Sequence, residues 1–173
     1  MPQLILITGG ARSGKSRFAT ELASRMSFTV TFIATASFSE DSEMKERIRS
    51  HQKSRPSHWD TIEEPRNIAS LIPKIHSPER VVLIDCLTLF ISNLLLDDKD
   101  ENEILDQVQA IANLSKKFNK ATIVVTNEVG WGVVPTTPLG RKFRDIAGKA
   151  NQILAKEADF VWLLVCGIPL KVK

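Results

Sequence analysis

Short apolar runs alternate with amphipathic segments along most of the chain. Five apolar runs predict strands, over Leu4–Ile7, Val30–Ala34, Val81–Asp85, Ala121–Thr126 and Phe160–Val165. Each run is mostly continuous, as expected of strands that are buried on both faces of a parallel sheet. Helical patterns follow these runs, over Ser16–Ser24, Asp41–Ser54, Pro65–Ile75, Leu87–Leu95, Glu103–Phe118 and Leu139–Lys156. This order predicts a three-layer α/β fold with a mostly parallel central sheet.

Two segments depart from this alternation. The tail from Gly167 to Lys173 predicts a turn into a last edge strand, because proline is tolerated at a sheet edge. The acidic run Asp97–Asn102 predicts a charged surface loop.

Composition limits the possible functions without selecting one. The 173 residues fit one domain, 1–173, and 43% hydrophobic with 25% charged residues is typical of an ordinary soluble protein. A net charge of +3 favours small anions, but no dense basic stripe predicts a nucleic-acid partner. The longest apolar tract, 81–96, contains polar residues and predicts no membrane span. The two cysteines, Cys86 and Cys166, are expected to be small core residues in a reducing, cytoplasmic compartment.

A glycine-rich loop directly follows the first predicted strand. Residues 9–16 read G-G-A-R-S-G-K-S and match the phosphate-binding pattern G-x-x-x-x-G-K-[ST] in full. Backbone N–H groups of such a loop, and the start of the helix after it, bind phosphates. Lys15 is expected to reach the β- and γ-phosphates as a catalytic cation, and Ser16 to bind Mg²⁺. We therefore expect the whole loop to bind a nucleotide: Gly9, Gly10, Ala11, Arg12, Ser13, Gly14, Lys15 and Ser16.

Polar residues follow two further predicted strands. Four apolar residues end in Asp85, the Walker-B pattern, whose carboxylate holds Mg²⁺ directly or through water. A strand that ends in aspartate is common by itself, and it is the loop upstream that favours the metal role. Asn127 and Glu128 follow the next strand and either orient a substrate hydroxyl or water, or only form a turn with Gly130. Both interpretations remain open.

The segment 41–56 places a histidine among cations. Acidic residues come first and basic residues later, which complements a helix dipole. On such a helix His51 lies between an apolar stripe and a charged face, with Arg47, Lys53 and Arg55 close in sequence. A neutral imidazole can attack phosphorus, and the cations would neutralise phosphate charge. A half-buried histidine on a solvated basic helix explains the same residues more simply.

Together these motifs resemble the bifunctional adenosylcobinamide kinase and adenosylcobinamide-phosphate guanylyltransferase family of cobalamin biosynthesis. The matching pieces are T-G-G-A-R-S-G-K-S-R (8–17), I-A-T (33–35), E-M-x-x-R-I-x-x-H-x-x-x-R-P-x-x-W-x-T-x-E (43–63), the strand end at Asp85, V-T-N-E-V-G-x-G-x-V-P (125–135), F-R-D-I-A-G-x-x-N-Q (143–152) and the tail G-I-P-L-K-V-K. They keep the family's order over essentially the whole chain. The resemblance implies a RecA-like P-loop NTPase fold with an antiparallel edge strand near the C-terminus.

The resemblance also implies two reactions. ATP or GTP phosphorylates the aminopropanol hydroxyl of the corrinoid adenosylcobinamide, and GTP then gives GMP to that phosphate, forming adenosylcobinamide-GDP. The motif assigns the covalent GMP–histidine intermediate to His51. Further nucleotide contacts are implied at Ala34, Thr35, Ala36, Gln52, Lys53, Ser54, Arg55, Glu63 and Asp85. Mg²⁺ held by Ser16 and Asp85, and a homo-oligomer that is a trimer, complete these expectations.

Two other functions stay open on the sequence alone. One is a P-loop kinase of another small alcohol, in which His51 is only structural and no guanylyl transfer occurs. The other is a nucleotide-sensing regulatory module without chemistry of its own. The polar strand ends at Asp85, Asn127 and Glu128 favour an enzyme over a passive binder.

Overall fold

The computed structural model describes residues 1–36 and 55–173, in which seven strands form one sheet. The strands are β1 (Gln3–Gly9), β2 (Val30–Ala34), β3 (Asp60–Glu63), β4 (Val81–Asp85), β5 (Ala121–Val125), β6 (Phe160–Val165) and β7 (Ile168–Lys171). The helices of these residues are α1 (Lys15–Met26), α2 (Ile68–Leu71), α3 (Leu87–Leu96), α4 (Glu101–Ser115) and α5 (Pro138–Glu157). The spatial order is β3-β2-β4-β5-β1-β6-β7, and every pairing is parallel except β6 with β7.

The sheet lies between two apolar cores. Leu4 and Leu6 of β1 pack into one core with α2 to α5, whereas Ile5 and Ile7 pack into the other with α1. This alternation follows from the period of two in a strand, and it explains why the central strands read as continuous apolar runs. The predicted three-layer α/β fold with an antiparallel last strand is therefore confirmed.

Most predicted elements agree with the structure, but one strand was missed. Strands β2, β4 and β6 have the predicted bounds. β3 was not predicted because its sequence, D-T-I-E, contains a single apolar residue and no apolar run. It forms by pairing with β2 at the edge of the sheet, where burial on both faces is not required. The predicted helix over Asp41–Ser54 lies outside the described residues.

Two predicted boundaries are wrong for local reasons. The helix predicted over Pro65–Ile75 is regular only over Ile68–Leu71, since Pro73 has no N–H to continue the helical bonding. The loop predicted over Asp97–Asn102 ends early, because α4 already begins at Glu101. Asp100 caps this helix in a reciprocal capping box with Glu103, with N···O distances of 2.9 and 3.0 Å.

The cysteines differ in their surroundings. Cys86 is buried, as expected, but Cys166 is exposed, so the expectation of a core position is wrong for Cys166. Cys166 lies in the tight turn between β6 and β7 with a φ of 52°, where the chain leaves the core. Among the helices of the described residues, none combines the length and apolar character needed to cross a membrane.

Candidate nucleotide site

The phosphate-binding loop leaves the carboxyl end of β1 and enters α1. Gly9 has a φ of +148°, and a Cβ at this position would lie 2.5 Å from the Leu164 carbonyl oxygen. Gly14 stands at the N-cap of α1 with a left-handed φ of +96°. The Gly167 N–H donates to the Ser13 carbonyl at 2.9 Å, so the turn after β6 supports the loop. Glycine is required where the chain passes this close to β6.

Lys15 is held at the centre of the loop. Its side chain is 7% exposed, and the ammonium Nζ donates to the Gly10 carbonyl at 2.6 Å. Burial lowers the pKa of Lys15, while nearby acidic groups, among them Asp85 and Glu128, act in the opposite direction. The loop cation therefore lies near one carboxylate at the last residue of β4 and one that follows β5.

A second group of predicted residues meets at the ends of β2, β3 and β4. The strand register places Glu63, Ala34 and Asp85 side by side in one row across these strands. The Arg55 guanidinium stacks 3.7 Å from the centroid of the Phe32 ring. Burial lowers the pKa of Arg55, and Asp85 and Glu63 oppose this shift. Three charged residues that lie far apart in the sequence, Arg55, Glu63 and Asp85, thus form one group at this edge of the sheet.

The ends of β2 and β4 are joined by a buried hydroxyl. Thr35 Oγ1 donates to the Cys86 carbonyl at 2.8 Å and accepts from the Cys86 N–H at 2.7 Å. The Thr35 carbonyl accepts from Asn93 Nδ2 at 2.8 Å, and the Thr35 N–H donates to the Asp85 carbonyl at 3.3 Å. The hydroxyl of Thr35 is therefore used within the protein, where it fixes the backbone that carries Asp85.

Glu128 is held beside the loop by residues of β1 and α5. Its Oε1 accepts from Thr8 Oγ1 at 2.5 Å and from Asn151 Nδ2 at 3.3 Å. Its N–H donates to the Gly9 carbonyl at 3.1 Å, so the chain after β5 continues along β1 to the first residue of the loop. Asn127 Nδ2 donates to Thr88 Oγ1 at 2.9 Å. Both residues after β5 are thus fixed at the nucleotide edge by long-range hydrogen bonds.

Two side chains near the loop carry oxygen atoms of the kinds that bind Mg²⁺. Ser16 and Asp85 are both half-buried and supply a hydroxyl and a carboxylate, the hard oxygen ligands that Mg²⁺ takes in P-loop sites. Within residues 1–36 and 55–173, no cluster of three or more acidic, histidine or cysteine side chains is arranged for a metal ion. The donor set fits an ion that is held largely by nucleotide phosphates and solvent.

A separate cavity of about 430 Å³ lies away from this edge. Most of its lining residues lie at or before the amino ends of β2, β3 and β4, the end of the sheet opposite the phosphate loop. The lining is Thr31, Asp60, Ile62, Lys74, Ile75, His76 and Arg80. Ligands in open parallel sheets bind at the carboxyl ends of the strands, so the chemistry is expected at the phosphate loop.

The chain is similar to known proteins over nearly its whole length. Residues 5–172 match the family described as cobinamide kinase / cobinamide phosphate guanyltransferase. The chain belongs to this family. The bifunctional adenosylcobalamin biosynthesis protein CobU of Escherichia coli (strain K12) is 43% identical, over 98% of this chain and 99% of the relative. The corresponding protein CobP of Pseudomonas aeruginosa is 41% identical, over 97% and 96%.

Solved structures support the fold at greater evolutionary distance. The RadB recombinase has a TM-score of 0.56 at 15% identity and covers 94% of this chain and 74% of its own. A KaiC-like protein from Pyrococcus horikoshii has a TM-score of 0.53 at 14% identity, over 94% and 72%. At such identities the similarity shows the RecA-like P-loop fold alone. The family match, a kinase and guanyltransferase family, is what implies nucleotide substrates.

The structure brings most of the predicted site residues together. The loop residues 9–16, Arg55, Glu63, Asp85 and the strand end at Ala34 lie at one edge of the sheet. His51, Gln52, Lys53 and Ser54 lie outside the described residues. The individual roles assigned to all these residues stay predictions.

Several residues of this edge were missed by the sequence reasoning. Phe32 stacks on Arg55, while Thr8 and Asn151 hold Glu128. Asn151 stands in the F-R-D-I-A-G-x-x-N-Q motif, which identified the family without indicating a role for this residue. A polar residue on the buried face of an amphipathic helix was the signal that could have found it, because buried amides require partners.

Proposed function

We propose that this chain catalyses both reactions named in its family's description, with adenosylcobinamide as the corrinoid substrate. It phosphorylates the aminopropanol hydroxyl with ATP or GTP and then transfers GMP from GTP to the new phosphate. The observation that carries this proposal is a complete phosphate loop, with Lys15 beside Asp85 and Glu128, in a chain that matches the family over residues 5–172.

In the first reaction the hydroxyl oxygen bonds to the γ-phosphorus of the triphosphate. The bond from that phosphorus to the bridging oxygen breaks, and its electron pair leaves with the nucleoside diphosphate. Lys15 and the loop N–H groups hold the transferred phosphoryl group. Mg²⁺, held by Ser16 and Asp85, would neutralise phosphate charge when bound.

In the second reaction we assign His51 as the nucleophile. A ring nitrogen of His51 bonds to the α-phosphorus of GTP and pyrophosphate leaves. An oxygen of adenosylcobinamide phosphate then bonds to that phosphorus and releases the histidine. Arg55 supports the assignment: it lies beside Asp85 and Glu63 at this edge, and it is only four positions from His51 in the sequence.

The test is the intact mass of the protein after incubation with GTP and Mg²⁺. We expect an acid-labile increase of one GMP, absent in His51→Ala. His58→Ala is the matched control, because His58 is an exposed histidine stacked on Phe28 at 4.4 Å and is expected to leave the adduct unchanged.

The same variants separate the alternatives. His51→Ala should still phosphorylate adenosylcobinamide while it fails to form adenosylcobinamide-GDP. A wild-type protein that phosphorylates a small alcohol but forms no adduct would be a kinase alone. Binding of GTP without any turnover would indicate a sensing module. The trimeric assembly and the cytoplasmic location predicted from the sequence remain predictions.

A further inference from the structure

Glu128 occupies a position that neither reaction described above uses. Glu128 lies just after β5, where the backbone continues to pair with β1. The Thr126 N–H donates to the Ile7 carbonyl at 2.9 Å, and the Glu128 N–H donates to the Gly9 carbonyl at 3.1 Å. Gly9 is the first residue of the phosphate loop. The Glu128 carboxylate is therefore a neighbour of the loop that binds the γ-phosphate.

The carboxylate is fixed by one of its two oxygens. Oε1 accepts from Thr8 Oγ1 at 2.5 Å and from Asn151 Nδ2 at 3.3 Å. Asn151 is fixed in turn, since its Oδ1 accepts from Thr126 Oγ1 at 2.7 Å. Thr8, Thr126 and Asn151 are all buried, so this support is rigid. A residue that only formed a turn would not require a buried threonine and a buried asparagine to orient its side chain.

The other oxygen is left for a ligand. Over the part of the chain that the structure describes, Oε2 of Glu128 has no hydrogen-bond partner. Glu128 is half-buried rather than buried, so a substrate can reach this oxygen. A fixed carboxylate acceptor beside the phosphate loop matches what a hydroxyl nucleophile needs.

We propose that Glu128 orients and deprotonates the acceptor hydroxyl in the phosphoryl-transfer reaction, with Thr8 and Asn151 as its positioning residues. The inference rests on the proposed function. The hydroxyl proton moves to Oε2 of Glu128 as the oxygen bonds to the γ-phosphorus. The bond to the bridging oxygen breaks, and its electron pair leaves with the nucleoside diphosphate. Glu128 then returns the proton to water.

Guanylyl transfer does not need this base. A neutral imidazole attacks phosphorus through a lone pair, and a phosphate acceptor is already ionised at neutral pH. Only the hydroxyl acceptor must lose a proton as it attacks. Loss of the Glu128 carboxylate should therefore impair one reaction and spare the other, which a general structural defect would not do.

The experiment compares Glu128→Gln with wild type in both half-reactions. Glutamine keeps an oxygen that accepts from Thr8 and Asn151 but cannot accept the substrate proton. We expect kcat for phosphorylation of adenosylcobinamide to fall by roughly 10²-fold or more, with KM for the nucleotide changed by less than about threefold. The rate of GMP-adduct formation with GTP and Mg²⁺ should stay within about threefold of wild type.

Two further variants complete the design. Asp145→Asn removes an exposed carboxylate that pairs with Arg144 at 2.8 Å on α5, and it should leave both reactions unchanged. Thr8→Val removes one donor to Oε1, so phosphorylation should fall by roughly tenfold while adduct formation persists. Thr8→Val also tests the inference if Glu128→Gln does not fold.

Several results would overturn the inference or the proposed function. Phosphorylation by Glu128→Gln within about threefold of wild type would overturn the inference, and so would an equal loss of both reactions, which is the result of a structural role. If Glu128→Gln cannot be made, unchanged phosphorylation by Thr8→Val overturns it. A wild-type protein without phosphorylation of adenosylcobinamide would overturn the proposed function itself, which the wild-type arm shows before any variant is compared.

Discussion

Replacing Thr35 by valine tests whether one buried hydroxyl joins β2 to β4. Valine has nearly the same shape as threonine but no hydrogen-bonding group. The hydroxyl donates to the Cys86 carbonyl at 2.8 Å and accepts from the Cys86 N–H at 2.7 Å, in a side chain with 0% exposure. The substitution therefore removes two hydrogen bonds where water cannot replace them.

The two lost bonds have different costs. The Cys86 carbonyl also accepts from the Phe90 N–H at 3.2 Å and keeps that partner. Loss of the bond from the Thr35 hydroxyl to this carbonyl therefore costs about 1 kcal/mol. The Cys86 N–H is left without an acceptor, which costs about 1–3 kcal/mol more. We expect the free energy of unfolding to fall by about 3 kcal/mol in total. At about 2–4 °C per kcal/mol for a chain of this size, Tm should fall by roughly 6–12 °C.

Urea unfolding followed by tryptophan fluorescence measures the effect, with Thr35→Ser as the matched control. Serine keeps both hydroxyl bonds and loses one buried methyl group, which costs about 1 kcal/mol. Valine should therefore be less stable than serine by about 2 kcal/mol. Equal stabilities of the two variants, or a valine variant as stable as wild type, would refute the role of the hydroxyl.

Two further measurements test other parts of the same edge. Gly9→Ala places a Cβ 2.5 Å from the Leu164 carbonyl oxygen at a φ of +148°, so urea unfolding should show a loss of more than about 2 kcal/mol. Gly148→Ala in α5 is its control: within residues 1–36 and 55–173, no atom beyond the local helix backbone lies within 4 Å of an added Cβ. Alanine should therefore raise the free energy of unfolding by about 0.5–1 kcal/mol, and a loss would contradict the packing. Burial raises the pKa of the Cys86 thiol to about 11, so Cys86 stays protonated at about pH 8 while Cys166 is exposed. A thiol reagent should modify one cysteine in the native protein and the second only after unfolding; two rapid reactions would contradict the burial of Cys86.

The sequence predicted the elements whose signal is local. Strands β2, β4 and β6 are continuous apolar runs because both of their faces are covered, and this pattern can be read without knowing the partner strand. β3 has no such run and exists through its pairing with β2, in which Thr31 to Ala34 align with Asp60 to Glu63. Pairing between distant segments leaves no periodic trace in either segment, so the strand could not be predicted from its own residues.

The residues of the site also differ in whether their sequence signal is local. The phosphate loop is contiguous, and its chemistry can be read directly from residues 9–16. The support of Glu128 joins residues that are 120 and 23 positions away, Thr8 and Asn151. No spacing rule connects such positions. The sequence could therefore name Glu128 as a candidate, but it could not distinguish a turn residue from an oriented carboxylate.

The order of the strands places these contacts on two sides of Asp85. Arg55 and Glu63 lie on the β2 and β3 side of Asp85, and Arg55 is the described residue nearest in sequence to His51. Glu128 lies on the opposite side, between β5 and the loop that follows β1. Arg55 and Glu63 therefore lie apart from Glu128 along this edge of the sheet. Because only the phosphoryl-transfer proposal uses Glu128, a substitution at Glu128 is expected to remove that reaction while guanylyl transfer continues.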